Sequence, residues 1–329
     1  MGGRVKKKTC WLIGCIFLVL AFAMSLRFGS SNLSWQQFFM GIAGRGGYEK
    51  TTFILLNLRL PRAVSAVLAG IGLSISGVAL QNITGNDLAG PNIIGVNAGA
   101  GFFVILGMYL LPGCARLFPA FAFLGAFLTS LVILLIGNAV PGGKNTMILA
   151  GIAITALLNA GISLISLIDT DILAAYTDFS VGGLSGSGTN ALLVPSFMIF
   201  ASGAIMLLFS KDVDAVTLGD GIANSIGVNV RLVRFFVILA ASAAAGAVVS
   251  FAGLLGFVGL IVPHIAKRIF GIRTRTAILG SSLTGAAIVL IADGIGRTIF
   301  TGTEVPVGIV MAFVGAPFFV YLIFRRKAT

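Results

Sequence analysis

Four ionisable side chains stand where the chain is otherwise apolar: Arg59 and Arg62 in RLPR, and Asp293 and Arg297 in ADGIGR. The first two are three residues apart and share a helical face; the second two are four apart, the spacing of an intrahelical ion pair. Read from spacing alone, Arg59 and Arg62 are arginines snorkelling to a membrane surface, with Pro61 between them suited to a first helical turn. Groups for covalent or metal chemistry are missing. His264 has no second His or Cys near it, so a zinc-dependent enzyme is not supported, and Cys10, Cys15 and Cys114 make neither a disulfide framework nor a metal spacing. A phosphate loop needs Gly-x-x-x-x-Gly-Lys-Ser/Thr; the nearest approach, at Gly143-Lys144, has Asn138 for the first glycine and Asn145 for the hydroxyl. The chain is therefore expected to be no enzyme and to hold no cofactor or metal.

The elements that position these residues are membrane spans. The 329 residues are 57% hydrophobic and 10% charged, with mean hydropathy +1.06, whereas a soluble domain is about 25% charged. Apolar stretches of roughly the 20 residues a span needs recur with no long polar segment between them. They predict helices at about 10–26, 63–82, 93–111, 117–138, 147–168, 190–209, 235–254, 256–266, 277–297 and 306–324. This is an all-α, single-domain polytopic membrane protein of about ten spans. The first stretch, after MGGRVKKK, has the shape of a signal peptide, and Ala21-Phe22-Ala23 resembles a cleavage site, yet it is read as an uncleaved span. Glycine is abundant, 44 residues, which suits close helix packing where no hydrophobic effect drives helices together.

From Phe235 to Ala266 the chain is apolar for about 32 residues, too long for one ordinary span and short for two. Charge decides, because Lys and Arg gather in short cytoplasmic loops. A break at Phe251 to Gly256 with both termini cytoplasmic puts 15 of the 22 basic residues inside; without it the majority falls outside. Backbone unwound at that depth must be covered by protein or water. Asp169, Asp171 and Asp178 then fall in an outer loop of about 169–190.

Two polar segments interrupt the apolar pattern. One is Gln81-Asn82-Ile83-Thr84-Gly85-Asn86-Asp87-Leu88-Ala89 after the second span, which read alone is a cytoplasmic loop. The other is the longest cytoplasmic connection, Lys211 to Arg234, where Leu218, Ile222, Ala223 and Ile226 repeat at helical spacing and Gly219, Gly221 and Gly227 offer tight turns. A solvated loop does not need that apolar stripe.

Together with FVGLIVPHIAKR at 257–268 and ADGIGRTIFTGTEVPVGIVMAFVGAPFF at 292–319, these motifs make nearly the whole chain resemble the FecCD-like permease subunits of type II ATP-driven (ABC) importers for iron-siderophore, heme or cobalamin. The resemblance implies that Arg59, Arg62 and Arg297 face outward to acidic residues of an extracytoplasmic substrate-binding protein. It implies an inner-mouth constriction at the NPLA-like motif, here Asn86-Asp87-Leu88-Ala89 with Asp for Pro, which puts the local backbone shape in question; Gln81, Asn82 and Leu88 belong to this path, and Lys144 and Asn145 to a second constriction. It further implies that Leu218, Gly219, Ile222, Ala223, Ile226 and Gly227 form paired coupling helices docking on an ATPase. The expected partners are a second permease copy or paralogue, two ATPase subunits that bind the ATP and Mg, the binding protein and the lipid of a bacterial cytoplasmic membrane, with no nucleic acid. The cargo implied is an iron-siderophore complex, with heme or cobalamin as alternatives. An ion-coupled secondary transporter is the rival class, but it needs buried ionisable residues, and the spans offer essentially only Asp293. His264, beside Pro263, and Pro306, Gly308, Gly315 and Pro317 read as packing and kink positions.

Overall fold

The computed structural model describes residues 2–29, 33–91, 95–139, 144–186, 188–300 and 303–326, and every extended regular element among them is a helix. In chain order these are α1 (Gly2–Arg27), α2 (Trp35–Ile42), α3 (Glu49–Phe53), α4 (Leu60–Thr84), α5 (Val96–Leu110), α6 (Phe118–Ala139), α7 (Lys144–Ile168), α8 (Thr170–Val181), α9 (Leu193–Leu208), α10 (Ser210–Thr217), α11 (Asp220–Ser225), α12 (Val230–Ala252), α13 (Val258–Phe270), α14 (Thr274–Thr298) and α15 (Val307–Arg326). The ten expected spans each coincide with a helix: α1, α4, α5, α6, α7, α9, α12, α13, α14 and α15. Residues 93 and 94 of the expected third span lie outside the described residues. Among the described residues six helices are long and apolar enough to cross a bilayer alone; α9, at 16 residues, reaches that length only if α10, bent from it by 61°, is counted with it.

α4 is the axis of the bundle, with 83% of its most apolar window buried. Glycine allows its neighbours to reach it. A Cβ on Gly70 would lie 2.3 Å from the Gly285 carbonyl oxygen on α14, and one on Gly77 would lie 1.9 Å from that of Gly259 on α13. At both crossings backbone meets backbone, as small residues permit within a membrane. The helix starts earlier than its apolar run suggests. Glu49 to Thr84 is continuous through a π-helical turn, Ile54–Arg59, in which the Leu60 N–H donates to Leu55 O. Pro61 has no N–H and its ring crowds the carbonyl four residues back, so a widened turn just before it lets the helix pass through instead of beginning there.

The break between α12 and α13 falls at Gly253–Phe257, where length and charge place it. α13, 13 residues and about 20 Å long, is about two-thirds of the roughly 30 Å that a span must cover. The unwound backbone between α12 and α13 is met by protein: Leu254 N–H donates to Phe179 O (3.2 Å) and Gly183 N–H to Ala252 O (2.9 Å), while Gly308 N–H donates to Gly182 O (3.1 Å) and ties α15 to the same segment. Phe179 belongs to α8, where the sequence predicts an outer loop. Asp169 starts that helix by accepting from the N–H groups of Asp171 and Ile172, satisfying donors that a helix N-terminus leaves open. α8 therefore dips back into the bundle and plugs the break. α2 and α3 were likewise not expected; Ser34 and Gln37 close a reciprocal capping box on α2.

Candidate docking, gating and coupling sites

The three arginines Arg59, Arg62 and Arg297 meet at one end of the bundle, around a cavity of about 430 Å³ that Glu304, Ser185 and Asn57 also line. Their engagements differ. Arg59 is 5% exposed and donates to the carbonyls of Leu26 (2.9 Å) and Arg27, satisfying acceptors that the last turn of α1 leaves open. Arg297 is equally buried. It pairs with Asp293 Oδ2 (3.0 Å) one turn earlier and donates to Ser25 Oγ (2.8 Å) and Ser25 O (3.1 Å). Arg62 crosses from α4 to the same carboxylate, with Nη2 2.9 Å and Nε 3.0 Å from Asp293 Oδ1, and its Nη1 holds Glu304 Oε2 at 2.6 Å. Asp293 is 1% exposed. Burying a carboxyl group this deep is costly unless it is paired and hydrogen-bonded, and two guanidiniums supply both. Three cations face two acids here, and Arg62, with 14% of its side chain exposed, is the cation most open to the cavity.

At the opposite end of α4, Gln81 and Asn82 are both buried and tie the helix to its neighbours. Gln81 Nε2 donates to Leu260 O (3.2 Å) and Oε1 accepts from Lys267 Nζ (3.1 Å), while Asn82 Nδ2 donates to Thr274 Oγ1 (2.9 Å). Beyond the left-handed cap Gly85, Asn86 to Ala89 form a turn. Ala89 N–H donates to Asn86 O (2.9 Å) and Leu88 N–H to Asn86 Oδ1 (3.0 Å), so the Asn86 side chain shapes the loop by an Asx interaction. Asp87 occupies the second turn position, where proline is favoured but not required. Its carboxylate lies 3.4 Å from Lys267 Nζ. The loop returns through Gly90 and Pro91, and Pro91 packs on Gly259. The side chains of Lys144 and Asn145 lie outside the described residues; their backbone opens α7.

The connection at this same end folds as two short helices, α10 and α11, joined through Leu218 and Gly219. Leu218, Ile222 and Ile226 are 68%, 52% and 64% exposed, whereas Ala223 is fully buried toward the bundle. Gly219 breaks the helix between Leu218 and Ile222, so helical period does not join them; what the three share is exposure, and together they leave an uncovered apolar surface on this connection. Gly219 and Gly227 have φ of 122° and 86°, and a Cβ on either would meet nothing within 4 Å. They are needed for backbone conformation, not for close approach. Asp220 on α11 pairs with Arg234 on α12 at 2.8 Å.

The structure adds residues that sequence reading passed over. Glu304 belongs to the arginine cluster although it lies 242 residues from Arg62. Lys267 is more than a loop charge, since it holds both Gln81 and Asp87. Asp214, midway along α10, holds Thr274 at the start of α14, and the only sequence signal for the contact is a threonine at a helix start. His264 packs edge-on against Phe318, ring centroids 6.2 Å apart.

Residues 17–325 match the model of the FecCD transport family. The chain is 32% identical to the hemin transport system permease protein of Yersinia pestis, over 99% of this chain and 98% of that one. It is 33% identical to the ferric enterobactin transport system permease protein of Escherichia coli, over 95% and 93%. A solved structure described as an inward-facing conformation of a metal-chelate type ABC transporter superposes with a TM-score of 0.86 at 27% identity, covering 97% of this chain and 99% of that one. With a helical bundle spanning a membrane and matches of this length, the chain belongs to the FecCD transport family and is the membrane permease of an ABC importer.

Proposed function

We propose that this chain is one half of a two-permease pore that carries an iron-siderophore complex across a bacterial cytoplasmic membrane. The arginine end faces outward and receives carboxylates of a binding protein, chiefly on Arg62. The α10–α11 end faces the cytoplasm with both termini, Asn86 to Ala89 narrows the inner mouth, and two ATPase subunits holding ATP and Mg dock on Leu218, Ile222 and Ile226. The observation that carries this reading is that apolar face, exposed on a segment outside the apolar helices, in a chain without a phosphate loop. The exposed polar residues Asn159 and Ser163 midway along α7 support a path or a second copy at that helix, because a bare amide is a poor lipid contact. The relatives' cargo, hemin in one and ferric enterobactin and ferric citrate in others, supports an iron chelate.

The test is uptake into proteoliposomes containing the permease, its ATPase and its binding protein, offered ferric enterobactin, ferric citrate, a ferric hydroxamate and hemin in turn. ATP-dependent uptake of a siderophore complex is expected. Uptake driven by an ion gradient without ATP would instead favour a secondary transporter, a reading against which Asp293 argues because two guanidiniums clamp it. Uptake of hemin alone would move the cargo to heme.

A further inference from the structure

Three helices of the α10–α11 end meet on one hydroxyl. Thr274, fully buried at the start of α14, donates through Oγ1 to Asp214 Oδ1 on α10 (2.6 Å) and accepts at the same oxygen from Asn82 Nδ2 on α4 (2.9 Å). Its backbone N–H also donates to Asp214 Oδ1 (2.8 Å). A hydroxyl has a single proton, so the direction is set: amide to hydroxyl to carboxylate. One carboxylate oxygen of Asp214 accepts from both the hydroxyl and the backbone N–H of Thr274, so the contact fixes the position of α10 against the start of α14 in two directions. Asn82 stands four residues before Asn86 on a helix whose end carries the Asn86–Ala89 loop. Asp214 stands four residues before Leu218, the first residue of the exposed apolar face.

Other ties between the two regions are looser. Val213 and Val216 bury α10 in the bundle, but apolar contacts have no direction and allow sliding. The Asp220–Arg234 pair leads to α12, not to the loop, and the Asp220 side chain is 46% exposed, where ion pairs are weak.

We propose that Asp214, Thr274 and Asn82 form a positioning link that transmits displacement of the α10–α11 element to the Asn86–Ala89 loop. α10 and the end of α4 then move as one body about the start of α14. This rests on the reading of α10–α11 as the ATPase dock and of the loop as the inner mouth.

Thr274→Val tests it, because valine keeps the shape and the backbone N–H while removing the hydroxyl that joins α4 to α10. In a cysteine-free background, Leu88→Cys reports the loop by its rate of maleimide labelling in vesicles containing the permease and ATPase, with and without ATP. In the parent, ATP is expected to change that rate about tenfold; with Thr274→Val the change is expected to fall below about twofold while hydrolysis and ATPase association persist. Thr274→Ser, which retains the hydroxyl, is expected to restore the response. Should Thr274→Val fold poorly, Asp214→Ala takes its place and is expected to give the same loss of response. A loop response that survives either variant overturns the link, as does loss of ATPase association with Thr274→Val, which would make Thr274 a support of the dock. ATPase association that survives Leu218→Asp with Ile222→Asp would overturn the dock itself, a separate result from these.

Discussion

The two ends of the bundle handle exposed chemistry in opposite ways. At the arginine end the charged groups are turned inward: Arg59 on the carbonyls of α1, Arg297 on Ser25 and Asp293, and Arg62 on Asp293 and Glu304. At the α10–α11 end the charges serve as ties between helices, and the apolar side chains Leu218, Ile222 and Ile226 are left uncovered. An end whose cations are already engaged by two resident acids, with one positive charge in excess, suits a partner that comes and goes, since a new carboxylate exchanges with a resident one. An uncovered apolar face suits a partner that stays, because covering it removes apolar area from water on every assembly.

The largest effect that tests this contrast is at Asp293. Removing one partner of a buried ionic cluster costs about 3–5 kcal/mol because the others remain buried without compensation. Asp293→Ala leaves Arg297 and much of Arg62 in that position, so the permease is expected to lose thermal stability in detergent and to yield poorly. A melting temperature unchanged by Asp293→Ala would show that the cluster is solvated and that the arginine end is not internally satisfied.

Next in size is the apolar face. Burying one such side chain is worth roughly 1.5 to 3 kcal/mol, and each 1.4 kcal/mol is about a tenfold change in equilibrium. Leu218→Asp with Ile222→Asp is therefore expected to remove the ATPase on purification while the melting temperature of the permease alone stays as it was. Both residues are exposed, so the fold does not depend on them. A stability loss comparable to that of Asp293→Ala would erase the distinction between the two ends.

How much of this was legible follows from what each feature depends on. The spans were legible because hydropathy acts locally, and the break between α12 and α13 because an apolar run of that length fits neither one span nor two. The exposed apolar residues were legible, although Gly219 interrupts the period that announced them and Ala223 turns inward. α8 was not legible: its three aspartates look like a loop, and only Asp169 as a cap announced a helix. The Asp293–Arg297 pair follows from spacing, whereas the Arg62 contact to Asp293 spans 231 residues and exists only once α4 and α14 cross at Gly70 and Gly285. The burial of Arg59 is of the same kind, set by where α1 ends beside α4. Charge pattern predicts these residues at a membrane surface and does not give the direction in which they point.

A smaller effect distinguishes conformation from contact at the coupling turns. Gly227 has φ of 86° and Gly221 lies within α11, and neither would bring a Cβ within 4 Å of anything. Gly227→Ala forces a left-handed residue at about 1–2 kcal/mol, whereas Gly221→Ala favours the helix by roughly 0.5–1 kcal/mol. ATPase binding is expected to weaken in the first and to hold or strengthen in the second. Equal losses would mean that the turn's surface, not its backbone, is what the partner reads.

The smallest effect sharpens the arginine end. Glu304 pairs with Arg62 at 2.6 Å but keeps a third of its side chain exposed, and pairs of that exposure contribute about 0–1 kcal/mol. Glu304→Gln should therefore leave stability nearly unchanged while Asp293 continues to hold Arg62 in place. Its consequence lies in docking. If a partner's carboxylate takes the position of Glu304 on Nη1, the exchange no longer has to displace a resident anion, and the local field becomes more positive, which chiefly speeds encounter. Binding-protein affinity measured at low ionic strength is then expected to rise severalfold with Glu304→Gln, and the gain to shrink as salt screens it. Arg62→Gln is the complementary change and is expected to lower affinity. A fall in affinity with Glu304→Gln would mean that Glu304 itself meets the partner, and the exchange of carboxylates on Arg62 would have to be abandoned.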